Sequence, residues 1–274
     1  MHSASQRELA DGKLLIDEPA DGVVSLTISN PLKRNALDHP ILDAITTTLT
    51  ELASSDSGAR CVMLTGAHGM FSAGYDIAEI PEEDFEERAE ALVAHPFTEA
   101  IDALQAFPHP TLAALPGHTI GGGLELALAC DLRVARDDIK LGMPPAKLGL
   151  VYSHTGLRRF IDAIGAARTR ELFLLGSYIS ATTAHSWGLV NRLTGADTLA
   201  AVALELASEM AGNAPLSQVG NKRVIAALLD ARDGLTYDVE ATLIELRRAS
   251  FASSDLREGM SAFAEKREPR WRGE

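Results

Sequence analysis

The chain has 274 residues, 46% of them hydrophobic and 23% charged, with a net charge of −13 at pH 7. That length can bury a substantial core, either as one large domain with a terminal extension or as two domains. The negative balance argues against a nucleic-acid surface, and no run reaches the roughly 20 apolar residues that a membrane span requires. Cys61 and Cys130, the two cysteines, stand in apolar runs and read as reduced core thiols rather than a disulfide or metal pair. Residues 1–7 carry no apolar stretch of signal-peptide kind, and the expectation is a soluble cytoplasmic protein.

In chain order, Val23–Ile28 is a β-rich run, and Asp38 is a plausible N-cap with Pro40 in the first turn of a helix reaching about Leu52. Cys61–Leu64 reads as a buried strand. A charge run at Glu79–Glu90 reads as a solvated loop and helix start, or as a lid. A helix is expected from about Pro96 to Phe107, stopped by Pro108 and Pro110. Thr111–Leu115 is another strand, then come three glycines and a helix carrying Glu125. Leu132–Ala135 and Ile139–Leu141 are short strands. Beyond about Ser153 helices dominate, with a brief interruption at Val190–Leu193. Asp255 with Glu258 makes a capping-box-like start for the last helix. The alternation in the first half argues for α/β crossovers on a sheet.

Two segments carry chemistry. Gly121-Gly122-Gly123-Leu124-Glu125 reads as a helix start whose backbone N–H groups face a ligand, with a carboxylate held beside it. A carboxylate among Leu and Ala costs free energy unless it is bonded or used; the alternative is a glycine turn before a core helix, with Glu125 on a wetter face. The second segment, Phe71-Ser72-Ala73-Gly74-Tyr75-Asp76, follows the Cys61 strand and suits a tight turn with exposed N–H groups. Two such donors from separate loops make an oxyanion hole, where losing one typically costs about 2.7–4 kcal/mol of barrier. His68, near that turn, reads as a solvated loop histidine.

Together these segments resemble the crotonase (enoyl-CoA hydratase/isomerase) superfamily, through Phe71-Ser-Ala-Gly-Tyr-Asp76, Pro116-Gly-His-Thr-Ile-Gly-Gly-Gly-Leu-Glu125 and Ala129-Cys-Asp131, in matching order and spacing from about Leu14 onward. The resemblance implies an α/β spiral of ββα units: a core domain over 1–195 and a C-terminal helical trimerisation region over 196–274, hence a homotrimer or a dimer of trimers. It implies that the amides of Ala73 and Gly122 grip the thioester oxygen of an acyl-CoA and that Glu125 is the first catalytic carboxylate. Lys33, Arg34 and Ala36 would lie along the CoA nucleotide, Phe263 and Lys266 would reach its adenine and phosphates, and Ser72, Asp76, Ile77 and Gly121 would line the substrate. No metal and no cofactor beyond the CoA of the substrate are implied.

One departure bears on the reaction. Family hydratases carry a second Glu where this chain has Pro145, and proline cannot move a proton. Hydration needs a base for water and an acid for carbon, so Glu125 would serve both roles, or His154 or Tyr152 would substitute. The segment Leu148-Gly-Leu-Val-Tyr152 also resembles the methylmalonyl-CoA decarboxylase branch, where Tyr152 would face the departing carboxylate; the other reading of Tyr152 is an aromatic packing on the core. A catalytically silent CoA- or nucleic-acid-binding homologue is the third reading. A serine hydrolase is disfavoured for want of a Gly-x-Ser-x-Gly elbow, and the glycines lack the dinucleotide-binding spacing.

Overall fold

The computed structural model describes residues 6–76, 93–230 and 237–270. Its centre is a seven-stranded sheet in the order β1-β2-β3-β4-β5-β7-β10. The strands are β1 (Arg7–Leu9), β2 (Leu14–Ala20), β3 (Val23–Ile28), β4 (Cys61–Gly66), β5 (Thr111–Leu115), β7 (Leu132–Arg136) and β10 (Arg192–Thr194). The first three pair antiparallel as a meander, and from β3 onward every pairing is parallel. A parallel strand covered on both faces reads as a continuous apolar run rather than an alternating one; β5, with all five residues buried, is the clearest case.

Helices cover both faces. On one side lie α1 (His39–Leu52) and α2 (Thr98–Ala106). Asp38 caps α1 by accepting from the Ile41 N–H at 3.0 Å, and Ile41, Leu42, Ile45 and Leu49 form its buried stripe. That spacing is one helical face, and it packs against Leu26, Ile28 and Leu64 of the sheet. On the other side α7 (Leu199–Gly212) lays Ala203, Leu206 and Met210 over Val23, Cys61, Leu112 and Val134. The helical region after residue 196 therefore begins as a layer of the sheet's own core.

A small second sheet positions the site: β6 (Thr119–Ile120) and β8 (Lys140–Gly142) pair parallel, and β9 (Tyr178–Ser180) joins β8 antiparallel. Helix α3 (Gly122–Ala129) leaves β6 directly. It is followed by α4 (Pro145–Leu148), α5 (His154–Leu175), α6 (Ala181–Trp187), α8 (Pro215–Asp230), α9 (Tyr237–Ala252) and α10 (Ser254–Glu265).

Most expected elements are present, with three corrections. The helix expected from Pro96 begins at Thr98, because Val93–Phe97, holding Pro96, forms one wider turn. The last helix is capped by Ser253, whose hydroxyl accepts from the Leu256 N–H at 3.0 Å, while Asp255 sits in the first turn. The interruption expected over Val190–Leu193 is β10, which spans Arg192–Thr194. The Glu79–Glu90 run lies outside the described residues. Among the described residues, no helix is long and apolar enough to cross a membrane.

Candidate active site

The site is built where two glycine-bearing loops meet backbone to backbone. The Gly121 N–H donates to the Gly142 carbonyl at 2.9 Å, tying the loop to β8. Gly121 then turns through φ +56° and ψ −130°, a conformation that favours glycine. α3 starts at the next residue, so the Gly122 amide belongs to the helical turn whose N–H groups have no intrahelical carbonyl.

The facing loop runs between two neighbours. Ser72 bridges to Thr119 on one side and Tyr75 to Leu37 on the other. A methyl group on Gly74, at φ +101°, would come within 3.3 Å of the Gly122 nitrogen and 3.1 Å of the Ile120 carbonyl. Only a glycine lets these loops approach so closely.

The Ala73 amide does not face this junction. Its N–H donates to the Arg34 carbonyl at 3.1 Å, on the opposite side, so the expectation that Ala73 supplies a donor is corrected. The next peptide planes give the reason. The Gly74 carbonyl accepts from the Leu37 N–H at 2.8 Å, and the Asp76 N–H donates to the Leu37 carbonyl at 2.9 Å. In a trans peptide the C=O and N–H point opposite ways, so the Tyr75 N–H is turned away from Leu37, towards the side where β6 and Gly122 lie.

One helical turn after Gly122, on the same face, stands Glu125, 2% exposed. Both its oxygens are engaged. Oε2 accepts from the Tyr152 hydroxyl, and Oε1 accepts from Nη1 of Arg159 at 3.0 Å. The Tyr75 and Tyr152 hydroxyls lie 3.4 Å apart, and the Tyr75 ring stands edge-on to Phe97. Burial, then the neighbouring Glu125 carboxylate, pushes the Tyr152 phenol well above its ordinary value of 10. Tyr152 therefore remains a neutral donor. Helix α5 passes so close that a methyl group on Gly156 would lie 2.8 Å from Glu125 Oε1 and 2.6 Å from the Tyr152 ring.

The expected residues fall into groups. Gly121, Gly122, Glu125 and Tyr152 come together as described. Lys33 and Asp76 form a second group, joined by a 2.7 Å ion pair; between them in sequence, Arg34 adopts a left-handed backbone and Ala36 is buried. Ser72 is buried, and its hydroxyl accepts from the Gly74 N–H at 3.1 Å, so it shapes the turn. Phe263, 74% exposed, and Lys266 occupy the end of α10. Ile77 lies outside the described residues. Pro145 is buried at the first position of α4, with no carboxylate there. His154 opens α5, and His68 sits in a left-handed turn. Among the described residues, no cluster of three or more His, Cys, Asp or Glu has the placement to hold a metal ion.

Sequence reasoning missed Arg159 and the Tyr75 side chain. Nothing distinguishes Arg159 from adjacent Arg158 except helical phase: Arg158 turns to the Leu229 carbonyl, and Arg159 to Glu125. The Tyr75 side chain stands in the quoted motif, but its meeting with Tyr152 spans 77 residues of sequence.

A helix N-terminus against a second strand-like loop, with one buried carboxylate a turn away, is the equipment of an enzyme that stabilises negative charge on a carbonyl oxygen while a proton moves nearby. Comparison with known proteins defines the class. Residues 18–274 match the family model for enoyl-CoA hydratase/isomerase. The chain is 36% identical to a probable enoyl-CoA hydratase of Bacillus subtilis, over 92% of this chain and 96% of that protein. It resembles the crystal structure of a methylmalonyl-CoA decarboxylase in complex with 2-nitronate-propionyl-CoA, with TM-score 0.86 and 27% identity over 96% of this chain and 99% of that one. It also resembles an enoyl-CoA hydratase from Bacillus anthracis, with TM-score 0.72 and 28% identity over 96% of this chain and all of that one. The chain belongs to the enoyl-CoA hydratase/isomerase family and has the crotonase fold; it is an acyl-CoA enzyme of that family.

Proposed function

We propose that the protein hydrates a 2-enoyl-CoA, with the thioester oxygen held by the Gly122 amide and, in place of Ala73, the Tyr75 amide. The observation that carries this reading is the placement of Glu125, buried and one helical turn from Gly122 on the same face of α3. Glu125 takes a proton from water as the water oxygen bonds to the β-carbon. The π-electron pair moves onto the thioester oxygen as an enolate, and Glu125 returns the proton to the α-carbon. A carboxylate can accept from several donors at once, a water among them. One carboxylate thus serves as base and then acid, which suits a site with Pro145 at the second carboxylate's position. No cofactor is needed beyond the CoA of the substrate, because backbone dipoles carry the developing charge.

A second reading, decarboxylation of a malonyl-type CoA, is favoured by one observation: the Tyr152 hydroxyl beside Glu125. The backbone also superposes better on that decarboxylase structure than on that hydratase structure by TM-score, at nearly equal identity. There the bond to the carboxyl carbon breaks, carbon dioxide leaves, and the electron pair enters the same enolate. Incubation with a panel of enoyl-CoA and dicarboxyl-CoA thioesters, read by mass spectrometry, separates the two. Gain of water on a short enoyl-CoA is expected; loss of carbon dioxide from methylmalonyl-CoA with no water gain would transfer the assignment to the second reading.

The proposal extends to assembly and location. Val224, Ile225 and Leu228 of α8 are exposed, an apolar face of the kind that associating subunits cover. We read it as part of a homotrimer or dimer of trimers in the cytoplasm, to be tested by light scattering.

A further inference from the structure

Arg159 is a cation drawn into the acid/base centre from a neighbouring helix. Its Nη1 donates to Glu125 Oε1 at 3.0 Å, while Nε and Nη2 donate to Gln105 Oε1 on α2 at 3.1 and 3.0 Å. Nη2 also lies 3.6 Å from Asp102 Oδ1. The side chain is 16% exposed against 2% for Glu125. One nitrogen thus reaches the buried carboxylate, and the rest of the fork is held towards the rim by α2. A planar guanidinium offers its donors in a fixed geometry, so anchoring two of them on Gln105 fixes where the third points. Gly156, one turn earlier on α5, admits the close passage that brings Arg159 into reach.

We propose that Arg159 is a positioning residue for Glu125: anchored on α2, it aims the carboxylate at the space beside Gly122 and balances its charge. This rests on the reading of Glu125 as the acid/base. Charged and titratable groups around Glu125 include Arg159 from α5, Tyr152 and Tyr75 with their hydroxyls, and Asp102 of α2, which shares the guanidinium. Of these, Arg159 supplies the positive charge in contact with the carboxylate. An opposite charge within about 4–6 Å favours the ionised form of a carboxyl by roughly one to three pH units.

The test compares wild type, Arg159→Met, Arg159→Lys and Glu125→Gln with crotonyl-CoA as probe. Arg159→Met should lower kcat about 100-fold, the size of effect expected when a reacting group is misplaced by about 1 Å, with KM changed by less than about threefold. Its acid limb in kcat/KM should move to higher pH by at least about one unit. Arg159→Lys keeps the charge and loses the fork; it should retain the wild-type acid limb while recovering only part of kcat. It also answers for Arg159→Met should that variant not fold. Wild-type kcat and an unmoved acid limb in a folded Arg159→Met, or a loss in both variants that falls on KM alone, would overturn the proposal. If Glu125→Gln is inert while Arg159→Met matches wild type, this proposal falls by itself; if Glu125→Gln is fully active, the acid/base reading falls and takes the proposal with it.

Discussion

The Tyr152 hydroxyl donates to Oε2 of Glu125, joining the segment between α4 and α5 to the helix that carries the proposed acid/base group. The carboxylate is buried, so each of its partners matters more than it would in water. Hydrogen bonds to charged groups contribute roughly 1.5–3 kcal/mol. Tyr152→Phe keeps the ring and its edge-on contact with Phe173 but removes the donor. Turnover of crotonyl-CoA by this variant should fall at least about tenfold, with a smaller loss of stability in urea unfolding. Full activity would mean that the hydroxyl is a packing feature.

Alkaline stability gives a second prediction. Burial raises Cys61 and Cys130 from 9.0 to about 12, and it raises the Tyr152 phenol as well. Each group's folded value lies above its unfolded one. Its contribution is therefore complete below about pH 9 for the thiols, and is lost as pH rises, since the unfolded chain ionises first. Each thiol should cost about 1.4 kcal/mol per pH unit between about pH 9 and about pH 12. Urea unfolding at about pH 7.5 and about pH 10.5 reads this loss, and Cys130→Ala should make the pH slope shallower. Equal stability at the two pH values would contradict the burial of both thiols.

Gly156 supplies the third. A methyl group there would meet the Tyr152 ring at 2.6 Å and Glu125 Oε1 at 2.8 Å. Overpacking of this kind costs about 1–3 kcal/mol, and displacing the carboxylate by about 1 Å can cost roughly 100-fold in rate. Gly156→Ala should therefore fold, melt lower and lose most of its turnover. Wild-type activity would show that α5 yields without disturbing Glu125.

Much of this fold is legible in the sequence wherever one local rule dominates. Asp38 with Pro40 marks the start of α1 because cap and helix share one short segment. β3, β4 and β5 are apolar runs because both their faces are covered. The three glycines before Glu125 mark the junction because a side chain at Gly122 or Gly123 would collide with Tyr75 or Ser72, and Gly121 turns at positive φ. What is not legible depends on orientation. Ala73 and Tyr75 are both backbone donors in one motif, and which of them faces Gly122 is decided by the Gly74 peptide plane. Ser253 outcompetes Asp255 as the cap by the register of a single turn. Arg158 and Arg159 are alike in composition, and the direction of α5 assigns one to the surface of α8 and the other to Glu125.

The most direct test of the account is Glu125→Gln, measured for acyl-CoA binding by calorimetry and for turnover of crotonyl-CoA under the same conditions. Gln retains the shape and the hydrogen-bonding oxygen but can neither take nor return a proton at neutral pH. The account predicts that butyryl-CoA binds within about threefold of wild type while kcat falls at least about 100-fold, as for loss of a general acid/base group. Unchanged turnover in Glu125→Gln would contradict it outright.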